Sequence, residues 1–173
     1  MRRTRTRRRG MTLVELMITV VMVGVLASLG AVGYSHWIRA SKTAEATAMI
    51  AAFKGAQETY RAEALRYLSI PGFFPLSAPT DTKAAWDLTG GDPTTVNIRR
   101  LGVHADSAVY YRYSSPAGNV GDAIPTLCNR NYPAATEPWF QVIARGDLNG
   151  NGVESRYCSS SMDANVWSVL GEE

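Results

Sequence analysis

The spacing of apolar residues changes twice along this chain, and each change marks a different kind of element. Residues 16–38 contain no Asp, Glu, Lys or Arg, and an apolar run of that length is enough to cross a bilayer as a helix. The pattern then becomes amphipathic. Ala46, Met49, Ile50, Phe53, Gln57, Tyr60, Ala64 and Tyr67 recur at three- and four-residue steps, with Lys54, Glu58, Arg61 and Arg66 between them. That is the spacing of a helix with one buried face. Nine alanines between Ala40 and Ala64 favour the helix further, and Pro71-Gly72 supplies a stop. The pattern predicts a helix over 12–69, about 85 Å long at 1.5 Å per residue. Tyr60 and Tyr67 are assigned to packing, because a stripe of this kind is far more often core than ligand site.

Beyond that point the periodicity of helices is lost. Residues 73–97 are rich in Pro, Thr, Asp and Gly, with Gly90-Gly91-Asp92-Pro93 as a turn cluster, and read as a long loop with a helical turn at 83–88. Strand signals follow. Residues 107–114 hold Val109, Tyr110, Tyr111 and Tyr113, the aromatic and β-branched content of a strand. Residues 139–145 alternate well, and 153–159 and 166–170 are shorter candidates. Asn-Gly content in 146–152 predicts a hairpin between the second and third strands. Four prolines mark 116–138 as an irregular excursion. The expected fold is α+β: a long N-terminal helix packed on a small antiparallel sheet. Its divisions are a leader at 1–10, a membrane helix at 11–38, an amphipathic helix at 39–70 and a β-rich head at 71–173.

Charge changes the picture at one end only. The formal net charge of +3 comes from 18 basic and 15 acidic residues. Residues 1–10 hold six of the basic residues (Arg2, Arg3, Arg5, Arg7, Arg8 and Arg9) and no acid, so the remainder has 12 against 15, a net of −3. A basic chain invites a nucleic-acid reading, but a run beside a membrane helix is better read as a label that keeps the N-terminus in the cytoplasm. No nucleic-acid partner is expected from the acidic remainder.

Two processing patterns compete at this end. A secretory signal peptide also joins a basic segment to an apolar one, and Ser28-Leu29-Gly30 offers a small-x-small site before Ala31. The apolar run nevertheless continues past that site, and it opens with an acid, Glu15. A carboxylate in that position is costly in lipid unless neutralised, which makes it a functional candidate. The alternative cut lies before the apolar stretch, at Gly10–Met11. Taken together, the basic leader and Gly10-Met11-Thr12-Leu13-Val14-Glu15 before an apolar helix resemble the type IV prepilin leader. The resemblance covers about the first 30 residues.

Several expectations come with that resemblance. Gly10 would be the cleavage-site glycine, Met11 the N-methylated first residue of the mature chain, and Glu15 the family's assembly glutamate. Met11 stands where Phe is commoner. Val32 stands where the family often has a helix-kinking proline, although Gly24, Gly30 and Gly33 also soften a helix. A new α-amino group at Met11, with a reference pKa of about 7.7–8.0, would be mostly protonated at neutral pH. It could pair with Glu15 of its own or a neighbouring subunit, setting the register of an incoming subunit. Implied partners are a prepilin peptidase/methyltransferase, other pilin subunits, inner-membrane lipid before assembly, and an assembly platform protein. The chain would sit in the inner membrane, then in an extracellular or periplasmic filament. A pseudopilin of a type II secretion system shares the leader, and a tethered binding protein or enzyme behind a generic signal is the reading from another class.

The order of elements in the head also resembles a pilin. Cys128 and Cys158 would lie outside the cytoplasm, where a single bridge is favoured over two buried thiols, matching the family's disulfide-bounded region. Asp147-Leu148-Asn149-Gly150-Asn151-Gly152-Val153-Glu154-Ser155 echoes the start of a calcium loop. Its twelfth position is Cys158 rather than Glu, and a plain turn is the favoured reading, so no metal is assigned. His36 and His104 form no metal or catalytic pair, and Tyr110, Tyr111 and Tyr113 are read as packing residues. No catalytic set and no cofactor are expected. N-terminal sequencing of the membrane-extracted protein separates the classes: a methylated Met11 is expected, and a chain beginning at Ala31 would overturn the prepilin resemblance.

Overall fold

A computed structural model describes residues 10–127 and 129–169. The leader arginines, Cys128 and the last four residues lie outside that set, as do the side chains of Val32 and His36. The class is α+β, as expected. Helix α1 spans Leu13–Ala64, and a six-stranded antiparallel sheet follows. Residues 1–38 and 39–173 are separate compact units.

Within the second unit, the sheet is built from β1 (Ile70–Phe74), β2 (Arg112–Ser115), β3 (Ala117–Gly118), β4 (Trp139–Gly146), β5 (Ser155–Ser160) and β6 (Asp163–Val169). Its order is β1-β2-β4-β5-β6, with β3 pairing β4 at the side. The expected hairpin joins β4 to β5, with Gly146 opposite Ser155. Gly146 is required there for space, since a Cβ would lie 2.6 Å from the Tyr111 ring.

One face of β4 explains the amphipathic stripe. Phe140, Val142 and Ala144 share a core with Ala46, Ile50 and Phe53 of α1, as alternation along a strand requires. Phe53 stacks on Tyr113 with ring centroids 5.8 Å apart. Burial, with smaller effects of Glu45 and Tyr111, pushes the Tyr113 phenol far above its ordinary range. Residues 141, 143 and 145 face the other way, where Ile143, Cys158 and Val169 form a second, smaller cluster.

Four expectations are corrected. Helix α1 ends at Ala64 rather than near 69, because Leu65 enters the left-handed region at φ 57. The chain is then held by Gln57. Its amide accepts from the Leu68 N–H at 3.0 Å and donates to the Leu68 carbonyl at 2.7 Å and to Ser115 Oγ at 2.9 Å. Tyr67 is still buried, as expected, but against Phe140 at 4.7 Å rather than on the helix stripe. Pro71-Gly72, read as a stop, lies inside β1, an edge strand, where a missing N–H is tolerated.

The fourth correction concerns 73–97. Helix α2 spans Pro93–Leu101, so the Gly90-Gly91-Asp92-Pro93 cluster is a helix start. Asp92 caps it by accepting from the Thr95 N–H at 3.0 Å, Pro93 takes the first turn, and Gly102 closes it at φ 76. The turn expected at 83–88 is absent; Ala84 instead pairs with Val109 in an isolated bridge. The first strand is correspondingly shorter than 107–114, beginning at Arg112.

Two substitutions test this core. Phe53→Ala is expected to cost about 3–5 kcal/mol, and Gln57→Leu about 2–3 kcal/mol by stranding the Leu68 peptide groups. Denaturant unfolding of the full-length protein in detergent measures both, and losses below about 1 kcal/mol would contradict the packing described.

Candidate functional site

The start of α1 is a capping box. Glu15 Oε2 accepts from the Thr12 backbone N–H at 2.9 Å and from Thr12 Oγ1 at 2.9 Å, while Thr12 Oγ1 accepts from the Glu15 N–H at 3.2 Å. Thr12 is the cap and Glu15 the third helical residue, so donors that helix geometry leaves free are satisfied reciprocally. Thr12 was not singled out in the sequence, although the T-x-x-E spacing before an apolar run is the signal for it.

Around this box the helix is bare. Leu13–Ala31 is long and apolar enough to cross a membrane, with mean hydropathy 2.2 and none of it buried. Leu13 is 76 % exposed and Leu29 67 %. The hydroxyls in the span are satisfied within the helix: Thr19 donates to the Leu16 carbonyl and Ser28 to the Val25 carbonyl, each at 2.8 Å. A bilayer would require that pairing of hydroxyls in a spanning helix. Tyr34 and Trp37, both exposed with rings 6.5 Å apart, follow the apolar window, where amphipathic rings suit a membrane interface.

The expected partner of Glu15 is a property of the cleaved chain. Met11 is here joined to Gly10, and its nitrogen is an amide with no charge to offer. Among the described residues no cation pairs with Glu15. Its carboxylate is held instead by Thr12.

The other candidates resolve into structure. Asp147 braces the β4–β5 hairpin: Oδ1 accepts from the Asn151 N–H at 3.2 Å and Oδ2 from the Gly152 N–H at 2.9 Å. Asn149 and Asn151 accept from backbone N–H groups in the same turn. Among the described residues no group of three His, Cys, Asp or Glu converges as a metal site would require. Tyr111 and Tyr113 are core residues, and His104 is exposed in a loop. Tyr110 lies between Lys42 at 4.5 Å and Lys83 at 5.0 Å, and its N–H donates to Glu45. Cys158 is fully buried on β5, and Leu127, which precedes Cys128, packs against its cluster.

A cleft of about 340 Å³ is lined by Glu58, Arg61, Tyr67 and Trp139 among others. Arg61 donates to the Tyr67 hydroxyl at 2.7 Å, and that hydroxyl donates to Glu58 at 3.0 Å. Burial raises the Tyr67 pKa against the opposing effect of Arg61. These groups engage one another along one wall of the cleft.

The comparison with known families bears on the helix start. Residues 5–31 match the prokaryotic N-terminal methylation motif. This motif is the prepilin-type cleavage and methylation signal, and it takes in Gly10, Met11, Thr12 and Glu15. It supports a pilin-like or pseudopilin precursor. No curated protein and no solved structure matches the chain.

The brace geometry of Asp147 makes a calorimetric prediction for the full-length protein in detergent. Calcium should leave the unfolding temperature unchanged, whereas Asp147→Ala should destabilise by about 1–2 kcal/mol by removing the charged acceptor of the Gly152 N–H, while the Asn151 N–H keeps Asn149 as its acceptor. A calcium-dependent rise that the substitution abolishes would overturn the turn reading.

Proposed function

We propose that the chain is a structural subunit of a type IV pilus-like filament, cut between Gly10 and Met11 by a prepilin peptidase and methylated on Met11. The supporting observation is Glu15. It is the single acid of the apolar span Leu13–Ala31, which no described residue covers, five residues beyond Gly10. Residues 11–38 serve as membrane anchor and assembly helix, 39–70 as the segment that packs on the head, and 71–173 as the head. The N-terminus lies on the cytoplasmic side before assembly, and other pilin subunits are its partners.

Cleavage turns the Met11 amide into an ammonium. A carboxylate held by neutral donors at Thr12 then has a charged alternative on a neighbouring subunit. A capping interaction contributes about 0.5–2 kcal/mol, whereas stranding one member of a buried ion pair costs about 3–5 kcal/mol. The exchange therefore favours the docked subunit and penalises wrong registers. In the head, a Cys128–Cys158 disulfide would tie the 116–138 excursion to β5. The burial of Cys158 and the contact of neighbouring Leu127 support that pairing.

Glu15→Leu and Glu15→Ala test the proposal. Both variants should insert and be processed normally, yet yield at least about tenfold fewer filaments, as the loss of even 1.4 kcal/mol per contact implies. Sheared-filament yield against the membrane pool measures this, and wild-type yield from either variant would reject the role of Glu15.

A further inference from the structure

The face of the sheet turned away from α1 carries a charge arrangement that filament assembly leaves unexplained. Arg112 stands opposite Arg145 across β2 and β4, and Arg145 stands opposite Arg156 across β4 and β5. Three guanidinium groups therefore occupy one cross-strand row. Like charges placed directly opposite one another oppose sheet formation.

Two of the three are compensated. The Phe73 ring lies against Arg112 at 4.9 Å and Arg145 at 4.7 Å, an arrangement that attracts cations to the ring face. Glu154 bridges the same pair, 3.0 Å from Arg112 Nη2 and 3.5 Å from Arg145 Nη1. Arg156 has neither ring nor carboxylate among the described residues. The Nε–H groups of all three arginines are shielded from solvent and lack an acceptor there. Burial, and then the Arg156 charge, lower the Arg145 pKa; Glu154 opposes this and Arg112 adds to it. The row thus holds three positive charges against one negative.

We propose that this row is an oxyanion site, in which a carboxylate or phosphate group docks on Arg156 and supplies the missing counter-charge. A planar guanidinium offers paired N–H donors that match either group. Two sources share that chemistry. One is the chain itself: Val169 is the cross-strand partner of Arg156, and Glu172 and Glu173 follow three and four residues later. The other is a free oxyanion, for which inorganic phosphate is the probe.

Thermal unfolding of the full-length protein in detergent distinguishes them, comparing phosphate with chloride at matched ionic strength. A free-anion site predicts an upward shift of about 3 °C or more in the wild type, abolished by Arg156→Gln. Occupation by the chain's own acids predicts no wild-type response. Glu172→Gln/Glu173→Gln should then melt lower and gain a phosphate response that Arg156→Gln removes. Phosphate also stabilises proteins non-specifically, so a shift that survives Arg156→Gln overturns the proposal. So does the absence of any shift in both the wild type and the double variant. If Arg156→Gln fails to fold, Arg156→Lys serves in its place, keeping the charge without the paired donors; an undiminished response there is equally fatal.

Discussion

The burial of one face of α1 against the sheet is the interaction on which the rest of the second unit depends. Ala46, Ile50 and Phe53 enter the same core as Phe140, Val142 and Ala144, and full burial of the larger of these side chains, Ile50, Phe53, Phe140 and Val142, contributes about 1.5–3 kcal/mol each. Gln57 continues that face with a polar group, and its amide holds both peptide groups of Leu68. The chain is thereby fixed where it turns from helix to edge strand. Everything after it follows from this point: β1 pairs β2, β2 pairs β4, and the outer face of β4 is left for a second cluster and the arginine row.

The first unit obeys a different constraint. No described residue covers its apolar span, so in a bilayer its stability would depend on satisfying every polar group internally. Thr12, Thr19 and Ser28 do so with backbone and cap contacts. Glu15 is the exception in kind, because a capped carboxylate is still a charge. The capping box stabilises the helix start while keeping the carboxylate bound by contacts weaker than an ion pair. Processing at Gly10 would therefore act on the chemistry of Glu15 without changing the residue itself.

Much of this organisation was legible in the residues. The apolar run, the amphipathic stripe and the Asn-Gly hairpin all depend on local spacing, and local spacing is what sequence displays. The candidate at Glu15 was legible for a similar reason, since one acid beside an apolar run has no local explanation. Helix α2 was not legible in this way: Asp92, Pro93 and Gly102 suit its two ends, but the same Gly-Pro-rich composition describes a loop, the expectation for 73–97. Pro71-Gly72 misled because the end of α1 rests on Leu65 and Gln57. A leucine at φ 57 leaves no compositional mark, and the segment that follows it is held by the Gln57–Leu68 contacts, 11 residues apart in the chain.

The sequence by itself determined the membrane-length helix, the methylation motif, the α+β class and the residue that carries the proposed assembly role. Each follows from interactions between residues a few positions apart. Only the tertiary structure decided that Gln57 holds the Leu68 peptide groups where α1 ends, and that three arginines distant in sequence share one row. Strand register decides the last of these. A shift of one residue would send each arginine to the opposite face of the sheet, and register is set by the packing of the whole core.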